Sequence, residues 1–255
     1  MVSGARRLLL RCQLGHVRRG LKAACAGLAL LAPVATDAQT AQPLVSATYA
    51  EPTTRYPHGV LGDTIEHGAL ELRFRGSNKR HVIRLPESRV FEDTAPRLVD
   101  VDGDGLPEVV VVESHQDKGA RLAVYTSEGL LAATPYIGTR NRWLAPIAIA
   151  DMDGDGAVEL AYIDRPHLAK TLRIWRYVDG ALVSLDSLGG LTNHRIGETD
   201  IAGGLRECGN GPEMIVASAN WARLIAVTFD GSTLTAKDIG PHKGRASFAK
   251  ALSCD

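Results

Sequence analysis

Short apolar segments recur at an even spacing along this chain, and turns rich in acidic residues and glycine separate them. Four of the segments begin at Leu70, Leu122, Leu172 and Leu224, which lie 50 to 52 residues apart. Short apolar runs without a sustained 3.6-residue periodicity are typical of β-strands. The pattern therefore predicts an all-β protein that is built from repeated units.

Tight turns follow three of these segments in the same phase, at Glu128-Gly129, Asp179-Gly180 and Asp230-Gly231. A turn of this kind between apolar runs favours a hairpin, because glycine tolerates a positive φ. Each unit then reads strand, acidic loop, strand, turn, strand, glycine turn, strand. Four strands in roughly 50 residues is the size of a propeller blade. We therefore expect a small β-propeller of about four blades.

The two ends of the chain suggest how such a propeller closes. The first unit lacks an opening strand and an acidic loop, since it begins near Gly59. The segment 245–252 near the C-terminus resembles the opening strand predicted at 144–150, and Asp255 follows it as Asp151 follows the earlier segment. We expect a C-terminal strand to complete the first blade and close the ring, which would remove exposed strand edges.

The acidic loops carry the candidate metal chemistry. The six residues from Asp100 to Gly105 recur from Asp151 to Gly156, and an apolar strand follows each copy. Loop positions one, three, five and nine carry carboxylates, and position seven offers a backbone carbonyl. The predicted ligands are Asp100, Asp102, Asp104, Leu106 and Glu108 in the first loop and Asp151, Asp153, Asp155, Ala157 and Glu159 in the second.

Oxygen ligands at this spacing suit calcium better than magnesium, which retains more of its waters. An EF-hand is excluded because its position-twelve glutamate is replaced by Val111 in one copy and Tyr162 in the other. We expect about two structural Ca²⁺ ions. The alternative is a pair of acidic turns without metal. A third loop, from Asp200, has lost its later aspartates and is expected to bind nothing.

The repeated Asp-x-Asp-Gly-Asp-Gly loop and its following strand resemble the FG-GAP or VCBS repeat family, which includes the propellers of integrin α-subunits. The resemblance covers Asp100 to Val112 and Asp151 to Ile163 most specifically. It implies a calcium-binding blade repeat and, commonly, recognition outside the cell. Family members often have seven blades and aspartate at position nine, so the fewer units and the glutamates here are departures.

The first residues predict export. Basic residues precede an apolar run at 23–34, and small residues follow it, which is the order of a secretory signal peptide. About 12 apolar residues are fewer than the ~20 that a membrane-spanning helix needs. We predict a signal peptide at 1–38 and a single repeat domain at 39–255. The mature protein would be periplasmic or extracellular, without a transmembrane segment.

Removing this leader changes the cysteine and charge balance. Cys208 and Cys254 remain, and in an oxidising compartment they are expected to form one disulfide, with free buried thiols as the alternative. The leader takes six basic residues and one acidic residue, which leaves 23 basic and 28 acidic residues. This mildly acidic balance argues against a nucleic-acid partner.

Loops at the opposite end of the predicted blades are basic and contain histidine and tryptophan. The candidate ligand-binding residues are Arg140, Arg142, Trp143, His194, Arg195, His242, Lys243 and Arg245. Arginine beside tryptophan suits an anionic ligand, a glycan or an acidic protein surface. We therefore predict a monomeric binding module. The alternatives are ordinary solvated loops on a structural scaffold, or a propeller-based hydrolase or lyase.

Enzyme activity is not expected, because the chain contains none of the short strings G-x-S-x-G, H-E-x-x-H or the P-loop. A serine–histidine or carboxylate–histidine pair shielded from solvent on the propeller axis would favour the enzyme instead.

Overall fold

The structure is a computed structural model that describes residues 42–254. The predicted signal peptide lies outside the described residues. Strands dominate the described part, in three antiparallel sheets that together contain seventeen strands. The all-β prediction is therefore confirmed. Within residues 42–254, no helix has the length and apolar character needed to cross a lipid bilayer.

The first repeat unit has three strands, β1 (Leu44–Thr53), β2 (Glu66–Phe74) and β3 (Arg80–Arg84). Strand β2 lies between β1 and β3 and pairs antiparallel with both. The sequence prediction placed the start of this unit near Gly59 and missed β1. Strand β1 occupies the position of the second strand of a repeat unit. The first unit therefore lacks an opening strand and an acidic loop, as expected.

The second unit has an opening strand in two pieces, β4 (Arg89–Phe91) and β5 (Arg97–Val99), which both pair with β6 (Glu108–His115). Strands β7 (Gly119–Thr126) and β8 (Gly129–Ala133) follow as consecutive hairpins. A bridge from His67 to Phe91 pairs β2 with β4. The first two units therefore share one eight-stranded sheet.

The third and fourth units repeat the predicted strand order. The third contains β9 (Leu144–Ala150), β10 (Glu159–Asp164), β11 (Thr171–Val178) and β12 (Ala181–Gly189). The fourth contains β13 (Leu191–Thr192), β14 (Gly204–Glu207), β15 (Pro212–Ser218), β16 (Arg223–Phe229) and β17 (Leu234–Pro241). Successive strands pair antiparallel in the third unit, and in the fourth β13 and β14 both pair antiparallel with β15, which continues to β16 and β17. An opening strand in two pieces thus occurs twice.

The core consists of layers between successive units. Strand β6 is buried on both faces, so its residues alternate between two layers. Val109 and Val111 pack against Leu70 of the first unit, whereas Val110 and Val112 pack with Leu160 of the third. Full burial of each such side chain stabilises the fold by roughly 1.5–3 kcal/mol. This burial of both faces explains why the sequence of β6, the second strand of its unit, contains a continuous apolar run.

The C-terminal segment is a helix, α1 (Arg245–Leu252), so the predicted strand that would complete the first blade is wrong. The segment has no β-branched residue and contains three alanines, which favours a helix. Phe248 and Ala251 lie three residues apart on the buried side of α1. They pack against Ile215 and Ala217 of β15. The helix therefore covers the face of the last sheet that lies opposite the third unit.

Strand pairing within residues 42–254 does not close the three sheets into a ring. A loop contact does join the first and last units, because the Gly197 amide donates to the Val60 carbonyl oxygen over 3.0 Å. The four repeat units agree with the expected count, whereas the closed propeller stays a prediction.

A disulfide joins Cys208 to Cys254 with a Cα–Cα distance of 5.7 Å, which confirms the predicted pairing. Cys208 follows β14, and Cys254 lies two residues beyond α1. The bond therefore ties the end of the helix to the sheet that the helix covers.

Candidate metal-binding loops and basic loops

The first acidic loop, residues 100–108, connects β5 to β6 and is shaped by its own carboxylates. Asp100 accepts hydrogen bonds from the amides of Gly103 and Gly105 over 2.8 and 2.9 Å. Both glycines have a positive φ, which residues with a side chain rarely adopt. Asp104 accepts from the Leu106 amide over 2.7 Å. Aspartate and glycine at these positions thus produce the tight reversal that the sequence predicted.

Glu108 connects this loop to the core. It is the first residue of β6 and is only 4% exposed. Its Oε2 atom accepts from the Val101 amide over 2.8 Å. Burial raises the pKa of Glu108, and the neighbouring aspartates raise it further.

The structure brings three of the five predicted ligands of this loop together. Carboxylate oxygens of Asp100, Asp102 and Glu108 all lie within 4.8 Å of one another. Asp104 lies in the same loop but outside this cluster of carboxylates, and Leu106 offers a backbone carbonyl in the same loop. No lysine, arginine or histidine within residues 42–254 forms an ion pair with the four acidic residues of the loop. The donors are oxygens alone, as calcium requires, so the loop fits that ion.

The second acidic loop, residues 151–159, has the same internal hydrogen bonds. Asp151 accepts from the amides of Gly154 and Gly156 over 2.7 and 2.9 Å, and Glu159 accepts from the Met152 amide over 2.8 Å. Oxygens of Asp151, Asp153 and Glu159 again lie within 4.8 Å of one another. Asp155 lies outside this cluster of carboxylates, and Ala157 offers a backbone carbonyl in the same loop. The third loop differs, because Asp200 is paired with Arg245.

Arg176 on β11 contacts the second loop, and sequence reasoning missed this contact. Its guanidinium forms ion pairs with Asp153, Asp155 and Glu159. The β10–β11 register places Arg176 directly opposite Glu159. Counting back along this hairpin from its turn at 165–170 would have given this pairing.

The predicted basic ligand residues fall into two groups. The first surrounds Trp143, which is buried and donates its indole N–H to the Glu92 carbonyl oxygen over 2.8 Å. Arg142 and Trp143 line a cavity of about 20 Å³ together with His58, Asn141, Arg165, His167 and Leu168. A cavity of this volume has room for about one water molecule. Arg140 lies outside it, over the ring of Tyr56 at 5.1 Å.

His194 belongs to the same group but is fully buried, so it is unavailable to a large ligand. Its Nε2 lies 2.9 Å from the Glu198 carbonyl oxygen, which only accepts. In neutral His194, Nδ1 therefore accepts from His167 Nε2 over 3.1 Å. Burial lowers the pKa of both histidines, that of His167 to about 4 with a further contribution from His194. Both rings are neutral at pH 7.

The second basic group surrounds Trp221, a residue outside the predicted ligand set. The Arg195 guanidinium lies 4.2 Å from the Trp221 ring centroid. His242 Nδ1 lies 2.9 Å from the Trp221 carbonyl oxygen. Arg245 is paired with Glu198 and with Asp200, and exposed Lys243 lies just before α1. Arg195 and Lys243 thus keep their charges unpaired among the described residues.

A buried polar chain near Trp143 was also missed. Glu92 is fully buried, with one oxygen 2.5 Å from His58 Nδ1 and the other hydrogen-bonded by the Ser114 hydroxyl. The three residues lie in different strands or loops. Because neither spacing nor motif connects them, the sequence carries no signal for this contact.

Comparison with known families supports the loop assignment. Residues 100–162 match the model of the FG-GAP-like repeat. The match begins at Asp100 and includes both acidic loops, so this part of the chain is an FG-GAP-like repeat and the predicted resemblance is confirmed there. A search of curated proteins gives no match to the chain.

Proposed function

We propose that this chain is an exported, calcium-stabilised module of propeller type that binds an anionic ligand, glycan or protein. The observation that supports calcium is the pair of three-carboxylate clusters on loops with the same internal hydrogen bonds. The three carboxylates of the first loop form no ion pair within residues 42–254 and repel one another, so a bound cation there stabilises the folded state by mass action. Export is supported by the predicted leader and by the disulfide, since such bonds persist in oxidising compartments.

Calcium titration by isothermal calorimetry, together with melting in calcium or in chelator, tests the metal proposal. Calcium at 100 times its dissociation constant should add about 2.7 kcal/mol to the free energy of unfolding. The substitution Asp102→Asn should weaken binding, because Asp102 belongs to the first cluster. Asp179→Asn is the matched control, since Asp179 occupies an exposed turn outside both clusters. Absence of heat and an unchanged melting temperature would reject the proposal.

The proposed ligand surface contains Arg142 and Arg195. Neither guanidinium forms an ion pair among residues 42–254, in contrast with Arg245. A charge without an acidic partner is free to form bidentate hydrogen bonds with a carboxylate, sulfate or phosphate. The position of partly exposed Trp221 beside Arg195 favours a ligand with a flat face, such as a sugar ring, as well as a charge, whereas Trp143 is buried and offers no ring face.

An array of acidic and neutral glycans, probed with the purified chain, tests this surface. The double variant Arg142→Ala and Arg195→Ala should lose binding to acidic members without a lower melting temperature. Arg223→Ala is the control, because Arg223 is an exposed arginine already paired with Asp238. Equal binding by the double variant and the wild type would reject the surface.

The chain from His58 through Glu92 to Ser114 supports a second candidate, a hydrolase or lyase. A buried carboxylate that holds histidine Nδ1 leaves Nε2 available to take a proton. His58 also lines the small cavity beside Arg142, which would hold the attacking water. Assays with ester, phosphoester and uronide substrates should give turnover that His58→Gln abolishes. Lack of turnover across that panel, or equal turnover by the variant, would leave the binding module as the function.

A further inference from the structure

The two acidic loops have matching backbones but different neighbours on the adjacent strand. Arg176 lies opposite Glu159 in the β10–β11 pair. In the β6–β7 pair, Val109 lies opposite Tyr125, so the next position along the register places Thr126 opposite Glu108. Thr126 and Glu108 also line the same surface cavity. The first loop therefore has a neutral hydroxyl where the second has a permanent cation.

The Arg176 guanidinium uses all three of its nitrogens on the second loop. Nη1 lies 2.7 Å from Asp155, Nη2 lies 2.9 Å from Asp153, and Nε lies 2.6 Å from Glu159. Nη2 also contacts Glu159. The carboxylates of Asp153 and Glu159 are almost fully buried, with side-chain exposures of 6% and 0%. Arginine stays protonated in proteins, and its planar group matches carboxylates in this bidentate manner.

These contacts have a direct consequence for metal binding. Two of the three carboxylates that cluster in the second loop, those of Asp153 and Glu159, already hold the guanidinium. A divalent ion would have to displace that group and would then lie near a like charge. The carboxylates of the first loop form no ion pair within residues 42–254 and face no such competitor.

We infer that Arg176 is an internal substitute for the metal ion, so the chain binds one Ca²⁺, in the first loop, and the second loop is held together without metal. This inference rests on the proposed calcium function and specifies where it operates. It also predicts that the identity of one residue on the third strand of each unit decides whether an acidic loop takes a metal.

Calcium stoichiometry, measured by calorimetry and by terbium luminescence, tests the inference. The wild type should bind one ion, and Arg176→Thr should bind two, because threonine reproduces the first loop. The converse substitution, Thr126→Arg, should abolish binding. Arg173→Thr is the matched control, since Arg173 lies on the same strand but pairs with Asp164, and it should still bind one ion. Circular dichroism checks the folding of every variant.

Two further variants locate the ion without changing Arg176. Asp102→Asn should reduce the affinity of the wild-type site at least tenfold, whereas Asp153→Asn should leave affinity and stoichiometry unchanged. Without calcium, Arg176→Thr should melt at a lower temperature than the wild type, and calcium should restore most of the loss.

The outcomes separate this inference from the calcium proposal. A wild type that binds no calcium overturns both. Two ions in the wild type, or one ion in a folded Arg176→Thr variant, overturn the role of Arg176 and leave calcium binding intact. If Arg176→Thr does not fold, the comparison of Asp102→Asn with Asp153→Asn decides, and equal effects of these two overturn the inference.

Discussion

Removing the disulfide between Cys208 and Cys254 should destabilise the chain substantially. The bond closes a loop with a sequence separation of 46 residues, which includes the last three strands and α1. Restricting the unfolded chain over a loop of this length stabilises the folded state by about 4 kcal/mol in the chain-entropy model. The double variant Cys208→Ser and Cys254→Ser should lose about that much free energy of unfolding.

Urea denaturation, followed by tryptophan fluorescence at a fixed calcium concentration, measures this loss. The oxidised wild type is the reference, and the wild type reduced with thiol should coincide with the double variant. Hydrogen exchange should become faster throughout α1, whereas β6 should retain its protection. A loss below about 1 kcal/mol would refute the reasoning, because the bond would then add little to the contacts of Phe248 and Ala251.

Three other substitutions test features of the core. Burial and a nearby carboxylate raise the pKa of Glu66 to about 9, so the folded chain keeps a proton that the unfolded chain releases above pH 4.5. The free energy of unfolding should therefore fall as pH rises between these two values. Glu66→Gln should remove this slope and gain about 3 kcal/mol at pH 7 in melting experiments. Gly203→Ala should lower the free energy of unfolding in urea by more than 2 kcal/mol, because the added Cβ would lie 2.0 Å from a backbone oxygen of β15. Gly180→Ala is the control: its φ is similar but its surroundings are open, so the loss should be only about 1 kcal/mol. Burial alone would raise the pKa of Glu113, but Arg121 and other partners lower it overall, so the folded state favours the charged carboxylate. Glu113→Gln should therefore lower the free energy of unfolding by about 3 kcal/mol at neutral pH, and by progressively less below pH 4.5.

The repeat and its acidic loops were predictable because their signals are local. Asp100 and Gly105 shape one loop through contacts a few residues apart, and the same pattern recurs at Asp151. Short apolar runs likewise indicated strands, and these strands pair with the next strands along the chain. Local chemistry of this kind is present in the sequence before any tertiary contact forms.

The C-terminal helix was mistaken for a strand because the comparison with residues 144–150 weighed apolar content over residue type. Alanine and leucine satisfy both a strand and a helix pattern, but the absence of β-branched residues favours the helix. The spacing of Phe248 and Ala251 was the second signal, and it became decisive only when the sheet face beneath it was known.

Contacts between distant segments could not be predicted. The chain from His58 to Glu92 and Ser114 joins separate parts of the first two units. The predicted basic residues form two groups rather than one, because Arg142 lies near Trp143 whereas Arg195 lies over the ring of Trp221. Residue types indicated that these loops are basic, but which charges find an acidic partner depends on how the units pack.

The attachment of α1 affects how the chain behaves before its cysteines are oxidised. Without the covalent link, the helix is restrained by the packing of Phe248 and Ala251, by the hydrogen bond from Arg206 to the Ala251 carbonyl oxygen, and by the ion pairs of Arg245 with Glu198 and Asp200. When the helix detaches, it exposes an apolar surface that includes Ile215 and Ala217. This surface would associate with a second molecule. We therefore expect oxidation of the two cysteines to reduce self-association of newly made chains as well as to stabilise the folded state.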